Sequence, residues 1–459
     1  MAIFSPLGIG RSALLAHQRA LQVTGANVAN VNTPGYSRQR AEFESIPSGA
    51  GYGVKIDSVE RIVDRFLAAR SLLQTSAESG AKTERDALDR VQAFFPVDGN
   101  SIGGALDDFF TAVSALSTRP EDITSRNDVL ERANALAGRF NRTAQGIAQL
   151  QRELDTRLRE EVTEADSQLA QIAQLNRAIK AAEVTGGSAN ELRDERDRAL
   201  EELGARFEVR GVEREDGTVD VFLASSGAAL VVGQDAARLA VQNGSGNGLD
   251  GAPLAVVGTL SASGAFITLP GAYGARTGAL ADVRDTSLPD LSAELDVLAT
   301  TLRDAVNAVQ TSATGRDLDG NVGTALFAGT GAADLSVALT DPRGIAAGQT
   351  ANPSDNANAL ALVNVQLTAQ AALGGVTLGE GFGQVQAAVG AAVREATERA
   401  AVEEGVASSL RAQRDSVSGV NLEEEFTDLV RFQRGFQAAS QLISISDRLL
   451  EELISVVRA

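Results

Sequence analysis

The chain has no cysteine, no tryptophan, a single histidine and only three lysines in 459 residues. Without cysteine there is no disulfide, no thiolate nucleophile and no sulfur-based metal site. His17 alone leaves no second imidazole for a multi-histidine metal centre or an acid–base pair. Positive charge is scarce too: 41 Lys+Arg stand against 60 Asp+Glu, a formal net charge of −19. Such a chain repels phosphate backbones, so no nucleic-acid partner is expected. Long apolar runs are missing as well. The uncharged stretches 251–275 and 356–379 are broken by Gly, Pro, Ser, Asn and Gln, unlike a span of about 20 apolar residues, so no membrane insertion is expected. With 16 Phe and 3 Tyr, the core must be built mainly from Leu, Val, Ile and Ala, which suits long helices packed along seams.

Charge is unevenly spread. Residues 1–41 hold Arg11, Arg19, Arg38 and Arg40 and no Asp or Glu, so this segment is +4 and the remainder −23. No charged stretch followed by an apolar core marks a cleaved secretory signal. An acid-free, Arg-bearing amphipathic start fits a mitochondrial transit peptide or an export and assembly segment that stays on the mature chain, and charge alone does not choose between them.

Ser5-Pro6 reads as helix cap and first helical residue. Leu7, Leu14, Leu21 and Val28 then recur every seventh residue, and the helix ends near the turn-rich Asn30–Gly35. Residues 36–58 are Gly-rich and β-like. A helical period returns from Glu60 with Ile62, Phe66, Leu73 and Ala77, and again with Leu106, Phe109, Val113 and Leu116. From Pro120-Glu121-Asp122 an unbroken pattern runs through Leu136, Phe140, Ile147, Leu154, Leu158, Leu169 and Ile179 to Gly186. Sixty-odd helical residues would measure about 90 Å and argue for a rod. The interleaved charges Arg193, Asp194, Glu195, Arg196 and Asp197 read as a solvated helix face. Asp216-Gly217 between alternating runs signals a hairpin, and 204–283 reads as a small all-β module. Helix returns at 289–310, yields to a Gly-rich β excursion at 315–350, and resumes near Ser354. Finally Ser418-Gly419 breaks the chain, and Asn421 with Glu424 has capping-box spacing. Leu422, Leu429, Phe436, Ile443, Leu450 and Val457 then repeat every seven residues, the signature of a coiled-coil seam.

No catalytic constellation stands out. Gly246, Gly248 and Gly251 match a dinucleotide fingerprint, but a strand-like run follows where a helix is required. Asp317, Asp319 and Asn321 hint at a calcium loop, yet Val322 and Ala328 occupy the positions that need Gly and Glu, leaving a turn. His17 has no carboxylate near it in sequence and reads as a surface or seam residue. Asp107-Asp108 and Glu423-Glu424-Glu425 sit at helix starts, where they offset the dipole. No cofactor and no metal are expected.

The fold expected is mainly α with an inserted β module: both termini form a long antiparallel helical coiled-coil rod, with a small all-β domain in the middle. The segments are a terminal helix with its β-like extension (1–59), a first rod part (60–203), the β module (204–283), a second rod part (284–417) and a C-terminal helix (418–459). A two-helix terminal pair leaves apolar flank in water, which neighbouring copies would cover. That points to a self-assembling structural subunit.

Two stretches sharpen this. Ala26 to Gln39, containing Asn27, Asn30, Asn32, Thr33, Pro34, Gly35 and Tyr36, closely resembles the N-terminal signature of bacterial flagellar rod, hook and hook-associated axial proteins. Ser418 to Ala438, with Gly419, Asn421, Phe432 and Gln433, is similar to the C-terminal signature of the same family. Asn190–Asp197 and Asp355–Leu362 resemble its hook–filament junction members. The resemblance implies a non-enzymatic subunit, exported through the flagellar type III channel without a cleaved signal peptide. It further implies a ring of copies at the hook, an outward-facing β module, and contacts with hook protein and with the next junction protein or flagellin. A dedicated export chaperone would hold 420–459. Leu7, Leu14, Leu21 and Val28, with the six residues of the C-terminal repeat, would form the inner assembly seam. The chain's freedom from cysteine suits an export substrate spared mispaired disulfides. Alternatives are a hook or rod protein, or, in another class, a flagellar cell-wall-cleaving enzyme with a carboxylate in a cleft.

Overall fold

A computed structural model describes residues 4–48, 51–96, 99, 101–184, 187–270 and 273–458. The chain opens with α1 (Phe4–Ala29), a hairpin of β1 (Gln39–Ser48) and β2 (Gly51–Arg61), and α2 (Arg65–Gln92). Then come α3 (Ile102–Thr118), α4 (Ile123–Val184) and α5 (Asn190–Arg206). Strands β3 (Val209–Glu213), β4 (Val219–Leu223), β5 (Ala229–Val232) and β6 (Asp235–Ala236) form one antiparallel sheet; β7 (Arg238–Asn247), β8 (Pro253–Leu260) and β9 (Phe266–Thr268) form another. Helices α6 (Ala275–Asp282), α7 (Leu288–Gln310), α8 (Ala357–Leu367), α9 (Leu378–Ser418) and α10 (Leu422–Arg458) complete the chain. The architecture is mainly helical, with α1 packed on α10, α2 packed on α9, and small antiparallel sheets in the middle.

α4 is the spine. Its 62 residues extend about 93 Å at 1.5 Å per residue. Asp122 caps its start, accepting from the Ser125 amide at 3.0 Å, and Leu136, Phe140, Ile147, Leu154, Leu158, Leu169 and Ile179 are all buried along it. Between these apolar residues, polar side chains dock the sheets. Asp155 accepts from the Ala255 amide, Asp166 from the Leu239 amide, and Asn176 donates to the Val219 and Gly233 carbonyls. Each bond satisfies a strand-edge group that would otherwise be stranded between helix and sheet. A π turn at Val283–Ser287 joins α6 to α7 and sets buried Arg284 against Asp155 at 2.5 Å.

Several expectations need correction. α1 already includes Phe4, so the helix begins before Ser5. β2 runs through Arg61, and α2 starts only at Arg65, where Asp64 accepts from the Phe66 and Leu67 amides. Phe66 is 91% exposed and Leu73 41% exposed; α2 turns Leu72, Ser76, Ala81, Leu88 and Val91 to the body instead. Ser76 there donates to the Gly204 carbonyl at 2.5 Å, and Leu72 fills the space that a Cβ on Gly204 would take. Helix resumes at Ala275 rather than near 289, starting from Gly274 at φ +62°. The stretch 315–350 holds two-residue strands at Phe327–Ala328 and Ser336–Val337, a short 3-10 helix at Pro342–Gly344, and otherwise turns and loops. Within it Asp317 accepts from the Asp319 and Asn321 amides, making the turn expected there. The Gly246–Gly251 match spans the end of β7 and the turn into β8.

Leu154 is 1% exposed on the spine. Leu154→Ala should cost about 3 kcal/mol through lost transfer energy and the cavity left behind, read as a lowered urea midpoint by far-UV circular dichroism.

Candidate assembly interface

The terminal module consists of α1, the β1–β2 hairpin and α10. α1 and α10 run antiparallel, since Gly10 lies against Ile443, His17 against Gly435 and Asn27 against Glu425. Glycine permits this approach. A Cβ on Gly435 would come within 2.5 Å of His17 Nε2, and one on Gly10 within 2.9 Å of Ile443 Cγ1. The deepest residues of α1 are Ala16, Ala20, Val23, Thr24 and Asn27; those of α10 are Glu425, Phe432, Ala439 and Ser446, spaced by seven.

The expected seam residues lie beside this line. Leu7, Leu14, Leu21 and Val28 on α1, and Leu429, Phe436, Ile443 and Leu450 on α10, are all half-buried. Leu422 is 40% exposed, and the side chain of Val457 lies outside the described residues. The α10 column they form stands four residues on from the buried one, so together they give the two-column face of a heptad helix.

At one end of the pair a buried polar joint gathers signature residues from distant parts of the chain. Asn27 donates to Glu425 Oε2 at 2.9 Å and to the Gln39 carbonyl at 2.8 Å, while its Oδ1 accepts from Tyr36 Oη at 2.8 Å and from the Gln39 amide at 3.0 Å. All four bonding positions of the amide are used. Arg38 holds Glu425 at 2.7 Å and Glu424 at 2.5 Å, and its amide donates to the Ser418 carbonyl. Glu425 is 2% exposed. Tyr36 is pushed up to about 12 by burial, with Asp194, Glu425 and Glu191 adding to it.

The joint continues into α5. Arg61 pairs with Asp194 at 2.7 Å and Asp197 at 2.6 Å, and Asn190 donates to the Val59 carbonyl at 2.7 Å. Burial raises Asp194 above the ordinary carboxylate range although Arg61 pulls the other way. Gly35, at φ +76°, brings the turn after α1 against Arg198. Asn30 and Thr33 close that turn, Thr33 Oγ1 donating to Asn30 Oδ1 at 3.1 Å, whereas Asn32 and Pro34 are exposed.

Three sequence readings change here. The Arg193–Asp197 run is not a solvated face, because Asp194 and Arg196 are buried, Arg196 donating to the Gly217 carbonyl at 2.6 Å. Glu425 compensates no dipole in water; it is enclosed by Arg38 and Asn27. Asn421 does cap α10, accepting from the Glu423 amide at 3.0 Å, but Glu424 turns to Arg38 instead of closing a capping box. Gly419 ends α9, a Cβ there falling 2.2 Å from the Asp415 carbonyl oxygen. Phe432 is buried in the seam and Gln433 exposed. The missed residues, Glu425, Asp194, Arg61 and Gly435, carried no periodic signal, although Glu425, Asp194 and Gly435 lie inside the signature stretches.

Among the described residues no group of three or more His, Cys, Asp or Glu could hold a metal, and no helix is long and apolar enough to cross a membrane.

Removing the Arg38 guanidinium strands a buried carboxylate. Arg38→Ala should cost about 3 kcal/mol and be read as lost amide protection in 22–40 and 421–432. Gly435→Ala should drive α10 off α1; hydrogen exchange is expected to rise along both helices while α4 stays protected.

Comparison with known proteins agrees with this layout. Residues 88–327 match the flagellar hook-associated protein FlgK helical domain, 411–456 the flagellar basal body rod FlgEFG protein C-terminal region, and 7–36 the flagella basal body rod protein family. The chain is similar to flagellar hook-associated protein 1 of Bacillus subtilis, 27% identical over 502 aligned positions and covering 98% of each chain. It is also similar to flagellar hook-associated protein 1 of Salmonella typhimurium, 24% identical, with 97% of this chain and 98% of that one covered. The fold is similar to that of the flagellar hook junction protein FlgK from Burkholderia pseudomallei, with a TM-score of 0.69 at 17% identity over 76% of this chain and 100% of the other. The chain belongs to the flagellar hook-associated protein FlgK family.

Proposed function

We propose that the chain is a structural, non-enzymatic subunit of the bacterial flagellum that forms the junction between hook and filament by packing its terminal helical pair against the same pair in neighbouring copies. The observation that carries this is the apolar surface left uncovered along α10. Phe426 (55% exposed), Val430 (44%), Ile445 (54%), Leu449 (50%), Ile454 (52%) and Val456 (71%) lie exposed along α10, outside the two columns that meet α1, and Leu15 of α1 is 54% exposed. Scattered exposed apolar residues are ordinary, but six large ones along a single helix mark its uncovered surface as an interaction surface. At about 25 cal/mol per Å² of apolar area, covering such a surface supplies several kcal/mol per neighbour.

The same geometry accounts for a ring. With α10 covered on one side by α1 and the hairpin, its remaining surface is left for the next copy, and a head-to-tail contact of this kind closes when its rotation does. Hook protein lies to one side of the ring, and the next junction protein or flagellin to the other. Residues 420–459 engage an export chaperone before the chain leaves by the flagellar type III route. Leu7, Leu14, Leu21 and Val28, with Leu422, Leu429, Phe436, Ile443, Leu450 and Val457, hold the pair together at the centre of the assembly.

Because Phe426, Ile445 and Leu449 are exposed, replacing all three with Ser should leave the urea midpoint close to wild type and yet block incorporation at the hook, seen as lost filament growth in cells carrying only this variant. Filaments of normal length and number would overturn the assignment.

A further inference from the structure

The chain's one histidine sits where three elements of the terminal module meet. His17 of α1 lies 5.8 Å from Phe43 of β1 and 6.3 Å from Phe432 of α10 between ring centroids, and those two phenylalanines are 5.7 Å apart. The ring rests on the bare Cα of Gly435. Its Nδ1 is buried and makes no hydrogen bond among the described residues.

The charges around it offer no welcome to a proton. From α10 comes Arg431, held by Asp428 at 3.0 Å and lying 4.8 Å above the Phe432 ring centroid. From β1, Glu42 and Glu44 flank Phe43, but they are taken by Arg40 at 2.5 Å and Lys55 at 2.7 Å; Asp57 of β2 also binds Lys55. α1 itself carries Arg11 and Arg19 and no carboxylate. A cation formed on this imidazole would lose part of its water, gain no counter-ion and stand next to a guanidinium.

We propose that His17 is an acid-sensitive latch: as a neutral ring it lets α1, β1 and α10 close on one another, and its protonation releases α10 from α1. Burial, with Arg431 adding to it, holds the closed-state pKa below the ordinary 6.5. With α10 released, the ring is in water and titrates near the ordinary value. Closure is therefore fully stabilised above 6.5 and weakens as pH falls through that value toward the closed-state pKa. The latch works within one chain, so it stands independently of the junction assignment.

Since no second histidine is present, NMR of the full chain with ¹³C-labelled histidine reads His17 alone. The expected result is a midpoint below 6.5, with intrinsic-rate-corrected amide protection of 6–29 and 422–450 falling about tenfold per unit of pKa displacement between pH 7.5 and 5, while α4 is unchanged. H17F keeps a ring and removes the titration, so its protection should be flat over that interval. A midpoint at or above 6.5, or the same loss of protection in H17F, overturns the latch. If H17F does not fold, R431Q decides: an upward move of the His17 midpoint supports the latch and an unmoved midpoint overturns it.

Discussion

The terminal module depends on how one buried carboxylate is satisfied. Glu425 stands 398 residues from Asn27, enclosed and ionisable, in a position that would be costly if either Arg38 or Asn27 were absent. Asn27 lies in the last turn of α1 and Arg38 just before β1, so the first elements of the chain supply the partners that α10 requires. The register of α1 against α10 follows from this contact: once Asn27 faces Glu425, His17 falls opposite Gly435, and Gly10 opposite Ile443. A shift by one turn would bury Glu425 without a partner and drive side chains into the two glycines. The polar joint fixes alignment, and the apolar columns fill in behind it.

How much of this was legible in the sequence differs between body and ends. The spine could be read almost to the residue, because a long helix covered on several sides needs large apolar residues at regular spacing, and α4 has them from Leu136 to Ile179. The Asp216-Gly217 turn was equally plain, Gly217 adopting the positive φ that the turn requires. The terminal seam was half legible. Counting large apolar residues picks out Leu429, Phe436 and Ile443, whereas the line closest to α1 is Glu425, Phe432, Ala439 and Ser446. Where two helices approach closely, small and polar residues occupy the contact and the large ones flank it, so hydrophobicity alone points one column off.

The polar joint was not legible in chemical terms. Nothing in Asn190–Asp197 distinguishes an exposed run of alternating charge from one whose members Asp194 and Arg196 are enclosed. Only the spatial meeting of α5, the hairpin and α10 makes that distinction. The quoted signatures did mark the right places, since most of the joint's members fall inside them. What the letters carried was location, and the three-dimensional contacts supply the reason for them.

Joining the first helix to the last also has a kinetic consequence. The loop it closes spans nearly the whole chain, and the entropy lost in closing such a loop is recovered only when the final contacts form. During synthesis α1 can meet the β1–β2 hairpin early, but it lacks α10 until the ribosome has delivered residues 422–458. A polypeptide arranged in this way completes its middle first and leaves its extremities unmatched longest, a built-in delay that keeps the sticky edge from maturing early.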